Sequence, residues 1–289
     1  METSRYRAFI HAVDKGSLSQ AAKDLGYTPS GVSQLIGALE RDLGFAVLER
    51  TAQGVSPTTH GASILPAARA LIAEEDRLLQ MGSEIKGLAT GRVTIGSYSS
   101  VATHWLPHVI KQFHEEYPAI EIRVMEGIHQ EITTWLDSKE VDVGFISYDA
   151  TMSYDWIPLA HDPMVAILPS DHPLTRFESV PLQSCNGEPF IMPGKGQDID
   201  TASLLERNDV HPHIVYETIE NAAMYAMVEQ GMGMSITNKL ATHRFNFNIE
   251  QRPVDPPQSI LFGIALPSLK TASPALRHFL SYATQELQE

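Results

Sequence analysis

The sequence predicts two unlike domains joined by one long helix: a small, mainly α, helix-turn-helix at the N terminus and a larger, doubly wound α/β domain after it. Three observations carry this reading. Short helical segments with matched start and stop residues follow one another before residue 45. Apolar residues then recur at heptad spacing from Ile64 to Ile85. From Val93 onward, β-rich stretches alternate with helical ones, as strand–helix–strand units do around a parallel sheet.

The first helix opens near Thr3 or Ser4, carries Phe9, Ala12 and Val13 on one face, and stops at Lys15 and Gly16. Glycine takes the left-handed geometry of a helix end without strain. Ser17 and Gln20 have capping-box spacing, so the hydroxyl accepts from the backbone of Gln20 while the Gln20 side chain reaches back. Leu18, Ala21, Ala22 and Leu25 form the apolar stripe of the second helix, which Gly26 stops. Thr28 is an N-cap, and Pro29 suits the first helical position, where a missing N–H costs nothing. The third helix buries Val32, Ile36 and Leu39, ends at Gly44, and turns Pro29, Ser30, Ser33, Gln34 and Gly37 outward. In a helix-turn-helix, the N-terminal end of this helix meets base edges in the major groove and favours a phosphate. A small helical bundle with an incidental polar face has the same spacing.

Ile64, Leu71, Leu78 and Ile85 form one heptad column, and Leu65, Ile72 and Leu79 form its neighbour. Together they describe a helix over 59–88 with one broad apolar seam. Pro66 lies within its first turns, where it is tolerated, while Glu75 and Gly82 interrupt the seam and exclude a long autonomous coiled coil. With polar Glu74, Asp76 and Arg77 alongside, the helix reads as a dimerisation element better than as a buried core helix.

After a hinge at 87–92, strands are expected at 93–97, 120–125, 141–146, 156–168, 189–192, 213–217, 233–237 and 258–266. Helices are expected at 101–116, 129–139, 199–208, 219–230 and 273–287. In such sheets ligands bind at the C-terminal ends of the strands.

Charge is distributed unevenly. The 289 residues carry a net charge of -14, which speaks against a generic nucleic-acid binder, because such binding is driven by phosphate neutralisation. Yet residues 1–58 balance six basic against six acidic groups, whereas 89–289 hold 12 basic and 25 acidic ones. A neutral head is followed by an acidic body. The absence of an apolar run of about 18 residues argues against a transmembrane helix. The N-terminal stretch lacks both an apolar core and a small-residue cleavage site, so no signal peptide is expected and the cytoplasm is the expected compartment. The lone Cys185 excludes an intramolecular disulfide and reads as a structural thiol. His104 with His108, and His211 with His213, lack a clustered third ligand, so no metal or other cofactor is expected. No G-x-S-x-G, Walker-type loop, CxxC or H-E-x-x-H occurs, and an enzyme is not expected.

The stretch 8–44 resembles the helix-turn-helix signature of LysR-type transcriptional regulators. It matches at Phe9, Val13, Gly16, Ser17, Ala21, Ala22, Leu25, Val32, Ser33, Ile36, Leu39, Glu40 and Gly44. Val47, Leu48, Glu49, Arg50 and Thr51 resemble the family's wing, and Thr58, Thr59, His60 and Gly61 the start of its linker helix. The strand at 91–97, the pairs Leu106-Pro107 and Tyr117-Pro118, Phe113, the run 141–144, His172 to Leu174 and the segment 231–236 are similar to its effector domain. The resemblance therefore covers nearly the whole chain.

It implies a winged helix-turn-helix at 1–58, a linker and dimerisation helix at 59–88, and a two-lobed, periplasmic-binding-protein-like α/β effector domain at 89–289. One lobe would span about 89–161 and 266–289, the other about 162–265. It further implies promoter DNA as partner, a small-molecule effector in the cleft, and a homodimer or homotetramer. Carried over residue by residue, the DNA contacts are Thr28, Pro29, Ser30, Ser33, Gln34, Arg50 and Thr51. The effector contacts are Ser99, Ser100, Ile128, His129, Ser147, Lys195 and Thr218, with Glu126 and Glu220 nearby. This chain departs from the family at Pro29, often Gln there; at Gly37, often basic or polar; at Gln53, often Arg; and at Asn238, usually Pro. The competing reading is a solute-binding protein with the same cleft, which would carry a signal peptide and no helix-turn-helix.

Overall fold

A computed structural model of the chain describes residues 3–51, 54–194, 199–243 and 246–288. The chain divides into two compact units, Met1–Gly91 with Asp137–Glu140, and Arg92–Leu136 with Val141–Glu289.

The first unit opens with α1 (Thr3–Lys15), α2 (Leu18–Leu25) and α3 (Pro29–Leu43). Gly16, Gly26 and Gly44 close them with φ of +58, +69 and +80, a region where a side chain is strained. Ser17 accepts from the Gln20 amide at 3.4 Å, and Thr28 from the Gly31 amide at 3.1 Å. Phe9, Ala12, Ala21, Ala22, Val32, Ile36 and Leu39 meet in one core, the two alanines letting the helices approach closely. β1 (Leu48–Thr51) and β2 (Gly54–Pro57) then pair antiparallel as a wing. Glu40 on α3 accepts from the Val47 and Leu48 amides at 2.9 and 3.3 Å, which fixes the wing to that helix.

α4 (Thr59–Ile85) follows the wing and is the helix that the heptad spacing describes. Its N-cap, Thr58, accepts from the Gly61 amide at 2.9 Å and donates to the Ala46 carbonyl at 2.8 Å. Pro66 stands further in than the first turn, so the helix runs on without the bond that residue would donate. The heptad columns divide between two environments. Ile64, Leu65, Ala68 and Ile72 pack into the N-terminal core, whereas Leu78 and Ile85 are 68% and 87% exposed. Glu75 does more than interrupt the seam, because it faces α1 and accepts from the Thr3 hydroxyl at 2.6 Å and from Arg7 at 2.8 Å. Arg7 also pairs with Asp76, and the buried Arg69 pairs with Asp14.

The second unit contains two sheets joined by one long strand. β3 (Gly91–Ser97), β4 (Ile120–Glu126), β5 (Val143–Ser147) and β12 (Ser259–Leu266) lie in the order β4-β3-β5-β12. β6 (Asp155–Pro169) pairs with β12 through Pro163 and then, from Met164, with β10 (Ser235–Asn238) and β11 (Ile249–Asp255). It thus passes from the first lobe into the second. β7 (Val180–Pro181) borders β11. β8 (Pro189–Pro193) and β9 (His213–Thr218) pair in parallel, and Phe190 bridges to Met234 beside β10.

The helices are α5 (Ser99–His104), α6 (Leu106–Glu116), α7 (His129–Asp137), α8 (Ile199–Arg207), α9 (Asn221–Glu229) and α10 (Pro274–Leu287). Three local expectations change. The helix expected at 101–116 breaks at Trp105, because Pro107 at the start of α6 cannot donate backward and collides with a carbonyl one turn earlier. β11 was not anticipated: Pro253 and several polar residues conceal a strand whose only fully buried side chain is Val254. The return from the second lobe lies before β12, not near 265. Phe262 to Ala265 register against β5, so the strand completes the first lobe's sheet.

Candidate DNA-reading surface and effector cleft

On the first unit, the cap and turn chemistry gathers one face. Thr28, Pro29, Ser30, Ser33 and Gln34 are all exposed at the start of α3. The Thr28 and Ser30 hydroxyls lie 3.1 Å apart, and the Thr28 oxygen already accepts the Gly31 amide. Ser33 and Gln34 lie one turn on, with their hydrogen-bonding groups exposed. Arg50 is exposed on β1 opposite Val55, and Thr51 follows opposite Gly54. Tyr27, 49% exposed in the turn before Thr28, belongs to the same face. An unexplained aromatic in a turn was the signal for it.

The cations of this unit are largely spent on its own fold. Arg5 pairs with Asp42, Arg7 with Glu75 and Asp76, and Lys15 with Asp24 at 3.1 Å. Among the described residues Lys23, Arg41 and Arg50 have no ion pair, and Arg50 is not neutralised by a neighbouring carboxylate.

In the second unit a cavity of about 190 Å³ opens where the C-terminal ends of strands from both sheets converge. The end of β3 contributes Tyr98, Ser99 and Ser100, and the end of β4 contributes Glu126, Gly127, Ile128 and His129. Opposite, β8 ends in Pro193 and Gly194, β9 leads to Ile219, Glu220 and Asn221, and β10 ends in Thr237 and Asn238. Asp200 on α8 and Glu131 on α7 complete the walls. Gly127 lets α7 pack against the end of β4, since a Cβ there would stand 2.7 Å from the Trp135 ring.

The floor is a hydrogen-bonded set. The Tyr98 hydroxyl lies 2.9 Å from His129 Nδ1 and 3.0 Å from Ser147 Oγ. Burial holds the His129 imidazole below the ordinary histidine pKa, with the Asp149 charge acting in opposition, so a neutral ring is favoured. Across the cavity, Asn238 donates through Nδ2 to Asp162 at 2.7 Å, and the Leu240 amide donates to the same oxygen at 2.9 Å. Burial raises the Asp162 carboxyl while these two hydrogen bonds lower it, and burial is the larger effect.

Of the residues proposed from sequence, Ser99, Ser100, Ile128 and His129 line the cavity. Ser147 does not: it is buried, with its hydroxyl 3.0 Å from that of Tyr98. Nor does Thr218, whose hydroxyl turns back to accept the Glu220 amide at 3.3 Å. Lys195 lies outside the described residues. Tyr98, Asn221 and Asn238 were missed. Asn238 carried a signal, being an amide where the family usually has proline. Tyr98 had none, because a tyrosine at a strand end also reads as core.

Cys185 is buried, and burial pushes its thiol up to about 11, so little of it is thiolate near neutral pH. Among the described residues no group of three His, Cys, Asp or Glu is placed to hold a metal ion, and no helix is long and apolar enough to cross a membrane.

Comparison with known proteins agrees with this geometry. The model for the bacterial regulatory helix-turn-helix protein, lysR family, matches residues 3–62, and that for the LysR substrate binding domain matches residues 86–288. The chain is 26% identical to the uncharacterized HTH-type transcriptional regulator YvbU of Bacillus subtilis, over 99% of this chain and 98% of that one. It is 31% identical to the HTH-type transcriptional regulator CbbR of Rhizobium meliloti, over 80% of this chain and 74% of that one. A full-length OxyR variant from Pseudomonas aeruginosa superposes with a TM-score of 0.80 at 21% identity, covering 99% of this chain and 94% of that one, a likeness of fold. A solute-binding protein would lack the matched helix-turn-helix. The chain belongs to the LysR family: it is a DNA-binding transcriptional regulator with an effector-binding substrate domain, and not an enzyme.

Proposed function

We propose that Ser30, Ser33 and Gln34 read bases in the major groove, that Thr28 and the backbone at Pro29 seat a phosphate at the start of α3, and that Arg50 and Thr51 bring the wing to the backbone. The observation that carries this is the exposed hydroxyl and amide face of α3, together with an exposed Arg50 on β1 that has no ion pair among the described residues. Two heads are needed for a two-fold operator. The exposed apolar residues of α4 from Leu71 onward, Leu71, Leu78, Met81 and Ile85 among them, support a homodimer, or a homotetramer built from it. The working limits are 1–58 for the reading head, 59–88 for the linker helix and 89–289 for the sensing domain. A protein that acts on bacterial DNA works in the cytoplasm.

The effector occupies the cavity lined by Ser99, Ser100, Ile128 and His129, with Lys195 following the lining residue Gly194 in the chain. Binding there draws together strand ends from both sheets and biases the set of subunit arrangements, which changes how the heads meet DNA. The test separates base reading from phosphate contact. A Ser33→Ala, Gln34→Ala pair should change sequence preference, whereas Arg50→Ala should weaken all sequences alike and reduce the salt slope by about one. Unchanged preference in the pair would remove these residues from the reading surface.

A further inference from the structure

The walls of the effector cavity are rich in acceptors and poor in cations. Glu126, Glu131, Asp200 and Glu220 all line it, and no lysine or arginine does among the described residues. Counting Lys195 with them still leaves four carboxylates to one ammonium. His129 adds no charge, because burial favours its neutral form. The neutral acceptors point the same way. The buried Asp162 carboxylate binds the amide nitrogen of Asn238 at 2.7 Å, which fixes that side chain's orientation; its carbonyl oxygen accepts from the Thr237 hydroxyl at 3.4 Å and keeps a second lone pair as an acceptor.

An independent feature marks the site as built for a polar guest. Ser100 is 7% exposed and lines the cavity, yet its hydroxyl has no hydrogen-bond partner among the described residues. Its oxygen is open to the cavity, where a bound ligand would supply the partner. The space also sets a scale. At about 190 Å³ it is below the roughly 300–1,000 Å³ of clefts that hold drug-sized molecules.

We propose that the effector is a small molecule bearing a cationic amine, with its ammonium N–H groups donating to Glu126 and Glu220 and a further polar group meeting Ser100. The proposal rests on the reading of this cavity as the effector site. A simple dicarboxylate would face four like charges, while an amine meets them as counter-ions.

The test uses the full chain and three probes of matched chain length: putrescine, γ-aminobutyrate and succinate, at equal ionic strength. Each is titrated by calorimetry into the wild type, a Glu126→Gln, Glu220→Gln pair and Asn221→Trp, which obstructs the cavity wall. The expected result is that putrescine binds, that its Kd rises at least tenfold in the Gln pair and in Asn221→Trp, and that succinate does not bind. Putrescine binding equally to all three proteins would mean association with the acidic surface and would overturn the proposal together with the cavity assignment. Succinate binding that Asn221→Trp abolishes, without putrescine binding, would keep the cavity as the effector site and reject the amine. Binding of γ-aminobutyrate that weakens at least tenfold in the Gln pair would support the amine with a carboxylate as the further polar group, whereas γ-aminobutyrate binding that the Gln pair leaves unchanged, or binding of none of the probes, would overturn the proposal.

Discussion

Arg7 on α1 donates two hydrogen bonds to one carboxylate oxygen of Glu75 on α4, from Nη2 at 2.8 Å and from Nε at 3.2 Å. The pair joins the first helix of the reading head to the middle of the linker helix, next to the point where α4 changes from core element to exposed stripe. The Thr3 hydroxyl holds the other oxygen of Glu75. That hydrogen bond first, and Arg7 second, keep the Glu75 carboxyl below its usual pKa.

A folded-state pKa below the unfolded value stabilises the fold above the ordinary carboxylate range, and the contribution is lost as pH falls through the folded value. Glu75→Gln should therefore lower the stability of the reading head near neutral pH by about 0.5–1 kcal/mol, the two side chains being only half-buried. The difference between variant and wild type should shrink as pH falls below about 4. Thermal denaturation at several pH values checks both. A difference that does not depend on pH would remove the ion pair from the explanation.

Gly61 is a second junction with no spare room. A Cβ at this position would stand 2.0 Å from the Val47 carbonyl oxygen, so the N terminus of α4 would have to leave the wing. Gly61→Ala should destabilise the head by about 1–3 kcal/mol despite alanine's higher helix propensity. A melting temperature equal to the wild type's would contradict the packing.

The exposed half of α4 should behave as an interface. Leu78→Glu with Ile85→Glu should convert the oligomer to monomer in light scattering. The core of the head should melt as before, because neither side chain belongs to it. An unchanged mass would place dimerisation elsewhere.

Tyr98→Phe removes the hydroxyl that lies near both His129 and Ser147, leaving two buried polar groups short of a partner. A loss of about 1–3 kcal/mol should follow. The His129 pKa is depressed in the fold, so its contribution is complete above the ordinary histidine value, about 6.5, and is lost on acidification below it. Wild type should therefore lose more stability than His129→Gln between about pH 7 and pH 5. Parallel acid-side melting curves would refute this.

Local signals made the head legible. Gly16, Gly26 and Gly44, the caps Ser17 and Thr28, and the 3.6-residue spacing of Val32, Ile36 and Leu39 each specify structure within a few residues. The cleft was legible only by topology: strand ends could be placed, so Ser99, Ser100, Ile128 and His129 fell on the cavity. Which neighbour turns inward depends on tertiary packing. Ser147 is buried against the Tyr98 hydroxyl, and Thr218 is taken up by the Glu220 amide. The role of Asn238 depends on Asp162, 76 residues earlier, a partnership that no local pattern encodes. The lobe limit near 265 failed for a similar reason, since β12 reads the same from sequence whichever sheet it joins.

The central claim is that a nearly neutral head, with Lys23, Arg41 and Arg50 as its cations without an ion pair among the described residues, recognises DNA through oriented contacts more than through charge. Fluorescence anisotropy of the purified full chain on its own upstream DNA and on shuffled DNA, across a salt series, tests this most directly. Three available cations per head, six per dimer, predict a slope of log K against log salt no steeper than about −5, with upstream DNA preferred at every salt. Equal affinity for shuffled DNA, or a slope near −10, would contradict it.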